Sequence, residues 1–278
     1  MYKILSREDL APNIHQFEIE APSIARKAQP GQFIIIMVDE KGERIPLTIA
    51  DWNRENGSIF LVFNVVGQTT NKLAAVQVGE SIMSLSGPMG LPAEIDKFGT
   101  VVTVTSGYSV VTIVPVVQAL KEMGNRVISI MRAPTMDSVF GQEHLGAMSD
   151  ELIVTIGDNS CNGEPNFVTE PLEKLLKAEQ IDRVITVGPV CVMKLVASVT
   201  RPHEVKTIAS LNPIMVDGTG MCGCCRVSVG GKTMFACVDG PEFDAHEVDW
   251  PSLMARRCTY ASNERGWSQY RCLDCAQW

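Results

Sequence analysis

The sequence predicts a chain of three parts: an antiparallel β-barrel, an α/β domain built on a parallel sheet, and a cysteine-rich C-terminal region. Three observations support this fold class. Short apolar runs separated by Pro, Gly and Asn fill residues 1–96, strand-like and helix-like segments alternate over residues 97–212, and four cysteines lie between residues 217 and 237. A chain of 278 residues is long enough for two or three such units.

Composition limits the classes of function. Hydrophobic residues make up 45% of the chain and charged residues 20%, which is ample for buried cores. The net charge of −8 argues against a nucleic-acid partner. The longest clean apolar run, residues 33–38, is too short to cross a bilayer, and the N-terminus lacks a signal-peptide pattern. We therefore expect a cytoplasmic protein with no membrane partner, in which nine cysteines indicate a metal or redox site rather than disulfides.

The first 96 residues are predicted to form a series of short strands. The segments NIHQFEIE, QFIIIMV, IPLTIADW and SIFLVFNVV are apolar or alternating, and turn-forming residues separate them. This spacing is typical of a small antiparallel barrel. Residues 85–92, LSGPMGLP, are predicted to be the loop that leaves the barrel, with a tight turn at residues 87–90.

From residue 97 to residue 212 the pattern is that of a parallel sheet with helices on both faces. The buried strand TVVTVT precedes a helix, SVVTIVPVVQALKEMG, that ends at Gly124. The further strands RVISIM, ELIVTIG, DRVITVG and EVKTIAS alternate with helical segments. Such sheets bind ligands at the carboxyl ends of their strands, where the strand order reverses.

The cysteine-rich region, residues 213–250, is predicted to bind metal and to contain a hairpin that turns at Gly230 and Gly231. Four residues have the spacing D-x4-C-x2-C-x11-C, which with Cys in place of Asp would be the plant-type spacing of a 2Fe–2S cluster. Glycines between them allow the loop to curve around a cluster and bring backbone N–H groups near sulfur. A zinc site and a set of buried thiols remain alternatives, and Cys224 is expected to point outward or to replace a ligand. The predicted ligands are Asp217, Cys222, Cys225 and Cys237.

This order of barrel, α/β domain and cysteine loop resembles the ferredoxin reductase-like electron-transfer proteins. It is similar to the electron-transfer subunit of dihydroorotate dehydrogenase, and more so to the small subunit of the NADH-dependent reduced ferredoxin:NADP oxidoreductase, a flavin-based bifurcating transhydrogenase. The segments LNPIMVDGTGMCGCCRV and FACVDGPEFDAHEVDW carry the second resemblance. It implies an FAD-binding barrel over residues 1–96, a Rossmann-like domain of the NAD(P)-binding type over 97–212, and a 2Fe–2S subdomain over 213–250 that is held by one Asp and three Cys.

The resemblance also implies two flavin segments in the barrel. RIPLTIAD is similar to the family's flavin strand, which lines the isoalloxazine ring, although by itself it would be an ordinary strand. FNVVGQTT is similar to the second segment, in which Thr69 and Thr70 are placed to donate to the pyrophosphate. The implied FAD-binding residues are Arg44, Pro46, Leu47, Thr48, Phe63, Asn64, Val65, Gly67, Thr69 and Thr70.

The nicotinamide loop departs from the family pattern. Where the family has a glycine-rich turn close to GGGVGIAP, this chain has TSGYSVVT, which keeps Gly107 and introduces Tyr108. Each added Cβ would narrow the space for phosphates, although a polar turn can still hydrogen-bond them. In a second departure, GDNSCNGEPN, Asp158 is kept and Cys161 is added. The NAD(P)-binding residues implied by the resemblance are Gly107, Ser109, Asp158, Gly188 and Pro189.

The last predicted segment, residues 251–278, is a tail with cysteines and aromatic residues that lies largely beyond the family pattern. The spacing C-x13-C-x2-C suits either thiols in a partner-binding tail or a second metal site. A second site would need a fourth ligand, for which His246, Cys224 or another subunit are candidates. The aromatic residues of the tail would suit an interface. The tail cysteines are Cys258, Cys272 and Cys275.

We therefore expect an electron-transfer subunit of a cytoplasmic oxidoreductase complex that contains FAD and a 2Fe–2S cluster and is related to bifurcating transhydrogenases. It would pass electrons between NAD(P)H, FAD and a larger flavoprotein or iron–sulfur subunit, with ferredoxin as a further candidate partner. Hydride and electron transfer require no side-chain acid or base, so no catalytic residue is predicted. Two alternatives stay open: a wiring or assembly subunit that binds no nicotinamide, and a dihydroorotate dehydrogenase electron-transfer subunit.

Overall fold

The computed structural model describes residues 1–133, 139–157 and 168–257. In these residues lie a seven-stranded sheet, a six-stranded sheet and a two-stranded hairpin. The strands are β1 Tyr2–Ala11, β2 Ile14–Glu20, β3 Phe33–Met37, β4 Ile45–Asn53, β5 Ser58–Asn64, β6 Ser81–Ile82, β7 Ser84–Met89, β8 Thr100–Ser106, β9 Arg126–Ala133, β10 Glu151–Ile156, β11 Arg183–Val187, β12 Thr207–Ser210, β13 Arg226–Val229, β14 Lys232–Phe235 and β15 Glu242–Asp244. The helices are α1 Pro22–Ala25, α2 Gln68–Ala75, α3 Val110–Glu122, α4 Gln142–Met148, α5 Thr169–Ala178, α6 Val190–Thr200 and α7 Trp250–Arg257.

The seven-stranded sheet forms the barrel. Its strand order is β6-β1-β2-β5-β4-β3-β7, and the neighbouring strands pair antiparallel. The two edge strands, β6 and β7, are separated in the chain by Met83 alone, so the edges of the sheet are brought together and the sheet curves on itself. Isoleucine and phenylalanine side chains fill the interior. The predicted antiparallel barrel is confirmed.

The prediction of a loop over residues 85–92 is wrong. Most of that segment is strand β7, which pairs with β3 through Ile35 opposite Ser86 and Ile36 opposite Leu85. Gly and Pro are typical turn residues, but β7 is an edge strand, where the missing N–H of Pro88 costs no ladder hydrogen bond. The chain leaves the barrel after Met89 and reaches β8 at Thr100, so the predicted domain boundary at residue 96 lies in this connection.

The six-stranded sheet has the order β10-β9-β8-β11-β12-β15, and its strands are parallel except for β15. The chain runs outward from β8 through β9 to β10 and then returns to β11 on the other side of β8. Helices α3 and α4 cover one face of the sheet and α5 and α6 the other, because alternate side chains of each strand point to opposite faces. The predicted parallel sheet with helices on both faces is confirmed.

The C-terminal part follows β12 and contains the cysteine loop, the hairpin of β13 and β14, and α7. The hairpin turns at Gly230 and Gly231, whose φ angles of +57° and +73° suit a two-residue type I′ turn, as predicted. Helix α7 is held by Trp250, which is buried and donates from Nε1 to the carbonyl of Ala245 at 3.1 Å. Residues 251–257, predicted as tail, thus belong to a packed helix.

Strand β3 connects the parts, because both of its faces are buried. Ile34 and Ile36 point into the barrel. Phe33 and Ile35 point outward into a second core, which they share with side chains of α6, β12, the cysteine loop and α7. This second core fixes the cysteine loop against the outer wall of the barrel.

In the described part of the chain, the search for a helix of sufficient length and apolarity to cross a membrane found none.

A buried carboxyl group lies where the barrel connection meets the edge of the second sheet. Burial raises the pKa of Glu242 to about 7, against the opposing effect of the positive charge of Arg183. Arg183 is itself buried, donates to Glu94 at 2.9 Å and lies over the ring of Phe98 at 3.6 Å. The arginine is thus already paired, and Glu242 is left with only part of its charge compensated.

We predict that Glu242→Gln stabilises the protein at alkaline pH. The pKa of Glu242 is higher in the folded than in the unfolded chain, so its contribution to stability is present below the ordinary Glu pKa and is lost as pH rises through about 7. The melting temperature of the variant should exceed that of the wild type at about pH 8 and match it at about pH 4. The exposed Glu40→Gln is the control, and an equal pH response of the two variants would contradict the prediction.

Candidate functional site

Asp217 organises the start of the cysteine loop. Its Oδ1 accepts from the backbone N–H of Thr219 at 2.9 Å, and its Oδ2 accepts from the N–H of Cys222 at 2.8 Å. The hydrogen bond from Thr219 and those from Cys222 hold the pKa of Asp217 below its usual range, so the group is an anion. A carboxylate has about four lone-pair sites, so these bonds leave others free for a metal.

Cys225 and Cys237 form a buried pair of thiols. Each is 2% exposed, and their Sγ atoms are 3.2 Å apart. Burial, followed by the neighbouring Cys225 thiol, raises the pKa of Cys237 to about 12, while the N–H of Gly220 donates to its sulfur and opposes the shift. Thiolates at this place therefore need a compensating cation, which a metal would supply.

The four predicted ligands come together as two pairs, Asp217 with Cys222 and Cys225 with Cys237. A dinuclear cluster takes two protein ligands on each iron, so the donor set fits a 2Fe–2S group. Among the described residues, no three His, Cys, Asp or Glu side chains are arranged around the position of a single metal ion. The thiol of Cys224 hydrogen-bonds to that of Cys222, and the residue as a whole is half-buried.

Gly218 allows the cysteine loop to approach the barrel closely. It has a φ of +74°, and a Cβ at this position would overlap Sδ of Met89 and lie 2.7 Å from Cγ1 of Ile35. Only glycine satisfies both the left-handed conformation and the close approach. The loop is therefore in direct contact with β3 and β7.

The two predicted flavin segments meet at one edge of the barrel. Strands β4 and β5 pair antiparallel with Ile49 opposite Leu61, which brings the start of β4 beside the end of β5. A hydrogen bond from Thr69 to Glu43 at 3.3 Å joins the two segments. Arg44 is exposed next to it, and Gly67 begins helix α2, whose free backbone N–H groups suit a phosphate.

Pro46 and Thr48 lie on the outer face of the barrel, because they pair with Ile35 and Phe33, which point outward. Asn64 and Val65 are half-buried at the end of β5.

Three of the predicted flavin residues make packing or capping contacts within the protein. Leu47 packs into the barrel interior, because its neighbours in the strand point outward and side chains alternate. Phe63 is 1% exposed and packs edge-on against Phe17 at 5.1 Å. The hydroxyl of Thr70 accepts from two backbone N–H groups and donates to the carbonyl of Gly67, so it caps α2 and has no hydrogen left for phosphate. These side chains hold the flavin segments in place rather than facing the ligand.

Four of the five predicted nucleotide residues lie in the described part of the chain, where the order of the second sheet reverses. Strands β8 and β11 are neighbours, and their carboxyl ends lead into Gly107 and Ser109 on one side and Gly188 and Pro189 on the other. A Cβ on Gly188 would lie 3.4 Å from Cβ of Ser106, so the two turns are in contact. This is the crevice at which open α/β sheets bind ligands.

The glycines missing from this turn are not needed by its backbone. Thr105 and Ser106 belong to extended strand β8, and Ser109 has a φ of −64°. All three are buried. Gly107 is the residue that has a left-handed φ, +63°, and the space around it is open. The retained glycine is therefore the one that the conformation requires.

Arg132 is a candidate that the sequence reasoning missed. It ends β9 next to the crevice, is 6% exposed, and donates to Oγ of Ser106 at 3.4 Å and to the carbonyl of Gly157 at 3.1 Å. Its guanidinium thus lies at the carboxyl ends of the parallel strands, beside the crevice. The available signal was an arginine within the apolar strand RVISIMRA.

Several predicted site residues lie outside the described residues: Asp158, Cys258, Cys272 and Cys275. Of the two candidates for a fourth tail ligand, Nε2 of His246 is 2.9 Å from Oγ1 of Thr200 and is already engaged, whereas the thiol of Cys224 lies in the cysteine loop.

Comparison with known proteins bears on the whole chain. Residues 212–249 match the iron–sulfur cluster binding domain of dihydroorotate dehydrogenase B, a match that includes the four predicted ligands. A Thermotoga maritima homologue of the dihydroorotate dehydrogenase B (NAD(+)) electron transfer subunit is 42% identical over 263 residues, which is 95% of this chain and 93% of that protein. The chain belongs to this electron transfer subunit family.

Other members support the assignment. The probable electron transfer subunit of Methanopyrus kandleri is 31% identical and aligns with 80% of this chain and 81% of its own length. A solved structure of the NADH-dependent reduced ferredoxin-NADP oxidoreductase, described in connection with flavin-based electron bifurcation, has a TM-score of 0.87 at 40% identity and covers 95% of both chains. The resemblance and the ferredoxin reductase-like fold predicted from the sequence are confirmed.

As a member of this family, the chain is an oxidoreductase electron-transfer subunit with an iron–sulfur binding domain, and such a subunit implies a further subunit of the same complex. The predicted cofactors, an iron–sulfur cluster and FAD, agree with these likenesses. The individual ligand and flavin contacts remain predictions.

We predict that Gly218→Ala releases the cysteine loop from the barrel. The added Cβ meets Met89 and Ile35, so the variant should be less stable by about 1–3 kcal/mol beyond backbone strain and should bind less iron. Gly231→Ala is the matched control, because Gly231 has nearly the same φ of +73° and no atom within 4 Å. Urea unfolding and iron analysis measure the two effects, and equal losses in both variants would contradict the contact.

Proposed function

We propose that this chain binds FAD and a 2Fe–2S cluster and passes electrons between a nicotinamide cofactor and a partner subunit, in a complex related to bifurcating transhydrogenases. The contact of the cysteine loop with β3 carries the proposal. Gly218 lies against Ile35, and Ile35 pairs with Pro46 of the flavin strand. Opposed side chains of an antiparallel pair share a face, so the loop and Pro46 occupy one surface of the barrel. The loop that would hold the cluster and the strand that would hold the flavin thus lie on the same face of the barrel.

The cluster ligands are Asp217, Cys222, Cys225 and Cys237. A 2Fe–2S cluster held there supplies one-electron transfer at a potential that ligand type and hydrogen bonds set. The N–H of Gly220, which donates to the sulfur of Cys237, is one such hydrogen bond. Cys225 and Cys237 are buried while Cys222 is exposed, so the protein shields one ligand pair and presents the other to a partner.

The flavin residues divide into binding and supporting groups. FAD supplies the exchange between two-electron hydride chemistry and one-electron transfer. Pro46 and Thr48 would line the ring, Arg44 would offer a cation, and the N-terminus of α2 at Gly67 would offer backbone N–H groups to the pyrophosphate. Binding requires the hydroxyl of Thr69 to exchange Glu43 for phosphate, an exchange that the exposure of Glu43 allows.

For the nicotinamide cofactor we propose the crevice between β8 and β11. Its support is the open space at Gly107, the contact of Gly188 with Ser106, and the buried cation of Arg132 beside them. The same features speak against the alternative of a wiring subunit that binds no nicotinamide. Asp158 is kept as a candidate contact from sequence alone.

The proposed partner is a larger flavoprotein or iron–sulfur subunit, with ferredoxin as a further candidate. A dihydroorotate dehydrogenase would be the partner in the alternative function that the names of several relatives suggest. The two likenesses do not separate the alternatives, since the identities are 40% and 42% over 95% of the chain. The aspartate at position 217, where the plant-type spacing has cysteine, favours the transhydrogenase type. A second metal site at Cys258, Cys272 and Cys275 remains a proposal from their spacing.

We predict that Asp217→Ala and Cys237→Ala lose the EPR signal of the reduced cluster and most of the bound iron, because each removes one ligand of a pair. Asp217→Cys should keep two irons per chain and change the reduction potential, since thiolate is a softer donor than carboxylate. Cys191→Ala, a half-buried cysteine on α6, is the control. A full signal in Asp217→Ala, or no iron in Asp217→Cys, would contradict the ligand assignment.

We predict that NADH or NADPH bleaches the flavin band within mixing time under anaerobic conditions, and that Gly107→Ala weakens this response. The variant places a Cβ in the open crevice, and loss of one phosphate contact of about 1.4 kcal/mol raises the concentration for half-reduction about tenfold. Gly124→Ala, at the other end of α3, has a similar positive φ and equally open surroundings, so it should respond like the wild type. Intact flavin that neither cofactor reduces would support the wiring alternative.

A further inference from the structure

Asn212 lies between the nucleotide crevice and the cysteine loop. It follows the end of β12, and its Nδ2 donates to the carbonyl of Gly188, in the turn after β11, at 3.3 Å. Its own backbone carbonyl accepts from Nη1 of Arg257 at 2.9 Å, while Nη2 of the neighbouring Arg256 donates to the carbonyl of Cys224 at 2.8 Å. Helix α7 thus holds the backbone of Asn212 and the cysteine loop together, and the side chain of Asn212 reaches the crevice turn.

The side-chain oxygen of Asn212 is left without a hydrogen bond. Oδ1 is buried and accepts from no donor in the described part of the chain. The carbonyl of Gly188 fixes which end of the amide is oxygen, because exchanging the two atoms would place Oδ1 against another carbonyl oxygen. A buried acceptor without a donor is unfavourable and is rare in folded proteins, so this oxygen calls for a partner that donates an N–H or O–H.

The elements around Asn212 indicate which part of a dinucleotide would supply that donor. Leu211, its neighbour in the chain, packs in the same core as Ile35, which pairs with Pro46 of the flavin strand. The phosphates are drawn instead to the backbone N–H groups of the turn at Gly107, which leads into α3. A dinucleotide that bridges these two places has its nicotinamide end beside Asn212, because hydride transfer requires that end to meet the flavin.

We propose that Oδ1 of Asn212 accepts a hydrogen bond from the carboxamide N–H group of the nicotinamide, which makes Asn212 a specificity-determining residue of the crevice. The inference rests on the proposed nicotinamide site and adds the group that recognises the reactive ring. A primary carboxamide offers two N–H donors and carries no charge, which suits a neutral, buried carbonyl oxygen. The amide of Asn212 can turn toward the ring at little cost, because its bond to Gly188 is longer than most N–H···O bonds.

A dinucleotide that lacks these donors tests the contact. In acetylpyridine adenine dinucleotide a methyl group replaces the amide nitrogen, so the carbonyl and nearly the whole shape are kept while both N–H groups are lost. Calorimetry on the purified full chain gives the dissociation constants of NAD⁺ and of this analogue, or of the phosphorylated pair if NADPH is the reductant. The wild type should bind the natural cofactor about tenfold more tightly than the analogue, and Asn212→Ala should bind the two almost equally.

A second substitution separates recognition of the carboxamide from support of the crevice turn. Asn212→Asp keeps an acceptor at the same place and loses the donor to Gly188, so it should keep the preference for the natural cofactor. A residue that only held Gly188 would weaken both ligands equally in either variant. Each variant retains the backbone carbonyl that Arg257 holds. Asn56→Ala, in the exposed turn between β4 and β5, is the control and should behave like the wild type.

The outcomes distinguish this inference from the proposed function. An Asn212→Ala variant with the preference of the wild type, or an Asn212→Asp variant without it, would overturn the role of Asn212. A wild type that binds cofactor and analogue equally would also overturn that role and would leave the nicotinamide site standing. A wild type that binds neither dinucleotide would overturn the nicotinamide site, and this inference with it.

Discussion

Strand β3 is the constraint on which the rest of the structure depends. Its five residues belong to two cores at once: Ile34 and Ile36 fill the barrel, and Phe33 and Ile35 fill the core that holds the cysteine loop. On one side β3 pairs with the flavin strand β4, and on the other it pairs with β7. A change in its register by one residue would exchange the two sets of side chains, which would empty the barrel and release the loop together. The distance between the flavin edge and the cysteine loop is therefore set by a single strand.

The cysteine loop would carry uncompensated negative charge if its buried thiols ionised, so a bound cation would stabilise it. Asp217 is an anion with backbone N–H bonds to both oxygens, and Cys237 has a pKa raised to about 12 by burial and by its neighbour Cys225. Two thiols this close and this buried cannot both ionise without a compensating cation. Metal binding at such a site drives deprotonation and is coupled to folding of the loop. Gly218 and the Arg256 contact then determine where the filled loop is held.

The sequence allowed the three parts and the ligand spacing to be predicted, because strand periodicity and the order of Asp217 and the cysteines are local features. The direction in which individual side chains point was harder to predict. Leu47 and Phe63 belong to the predicted flavin segments, yet both point into the barrel, since which face of a strand is buried depends on its partner strands. Arg132 and Glu242 could not be placed either, because the crevice and the sheet edge that surround them are formed by residues far apart in the chain. The loop predicted at residues 85–92 failed for the same reason: Gly and Pro are local turn signals, and edge position is a tertiary property.

The backbone of the altered nucleotide turn determines how strongly its missing glycines argue against nucleotide binding. A glycine-rich fingerprint combines two demands, a backbone that only glycine adopts and room for phosphate. In this chain the first demand falls on Gly107 alone, since Thr105 and Ser106 are extended and Ser109 is helical. The second demand concerns side-chain volume, and Thr105, Ser106 and Ser109 are all buried. Three lost glycines would be strong evidence against binding if each had carried a positive φ. Here Thr105 and Ser106 lie in a strand and Ser109 has a φ of −64°, so the missing glycines count for less than the motif alone suggests.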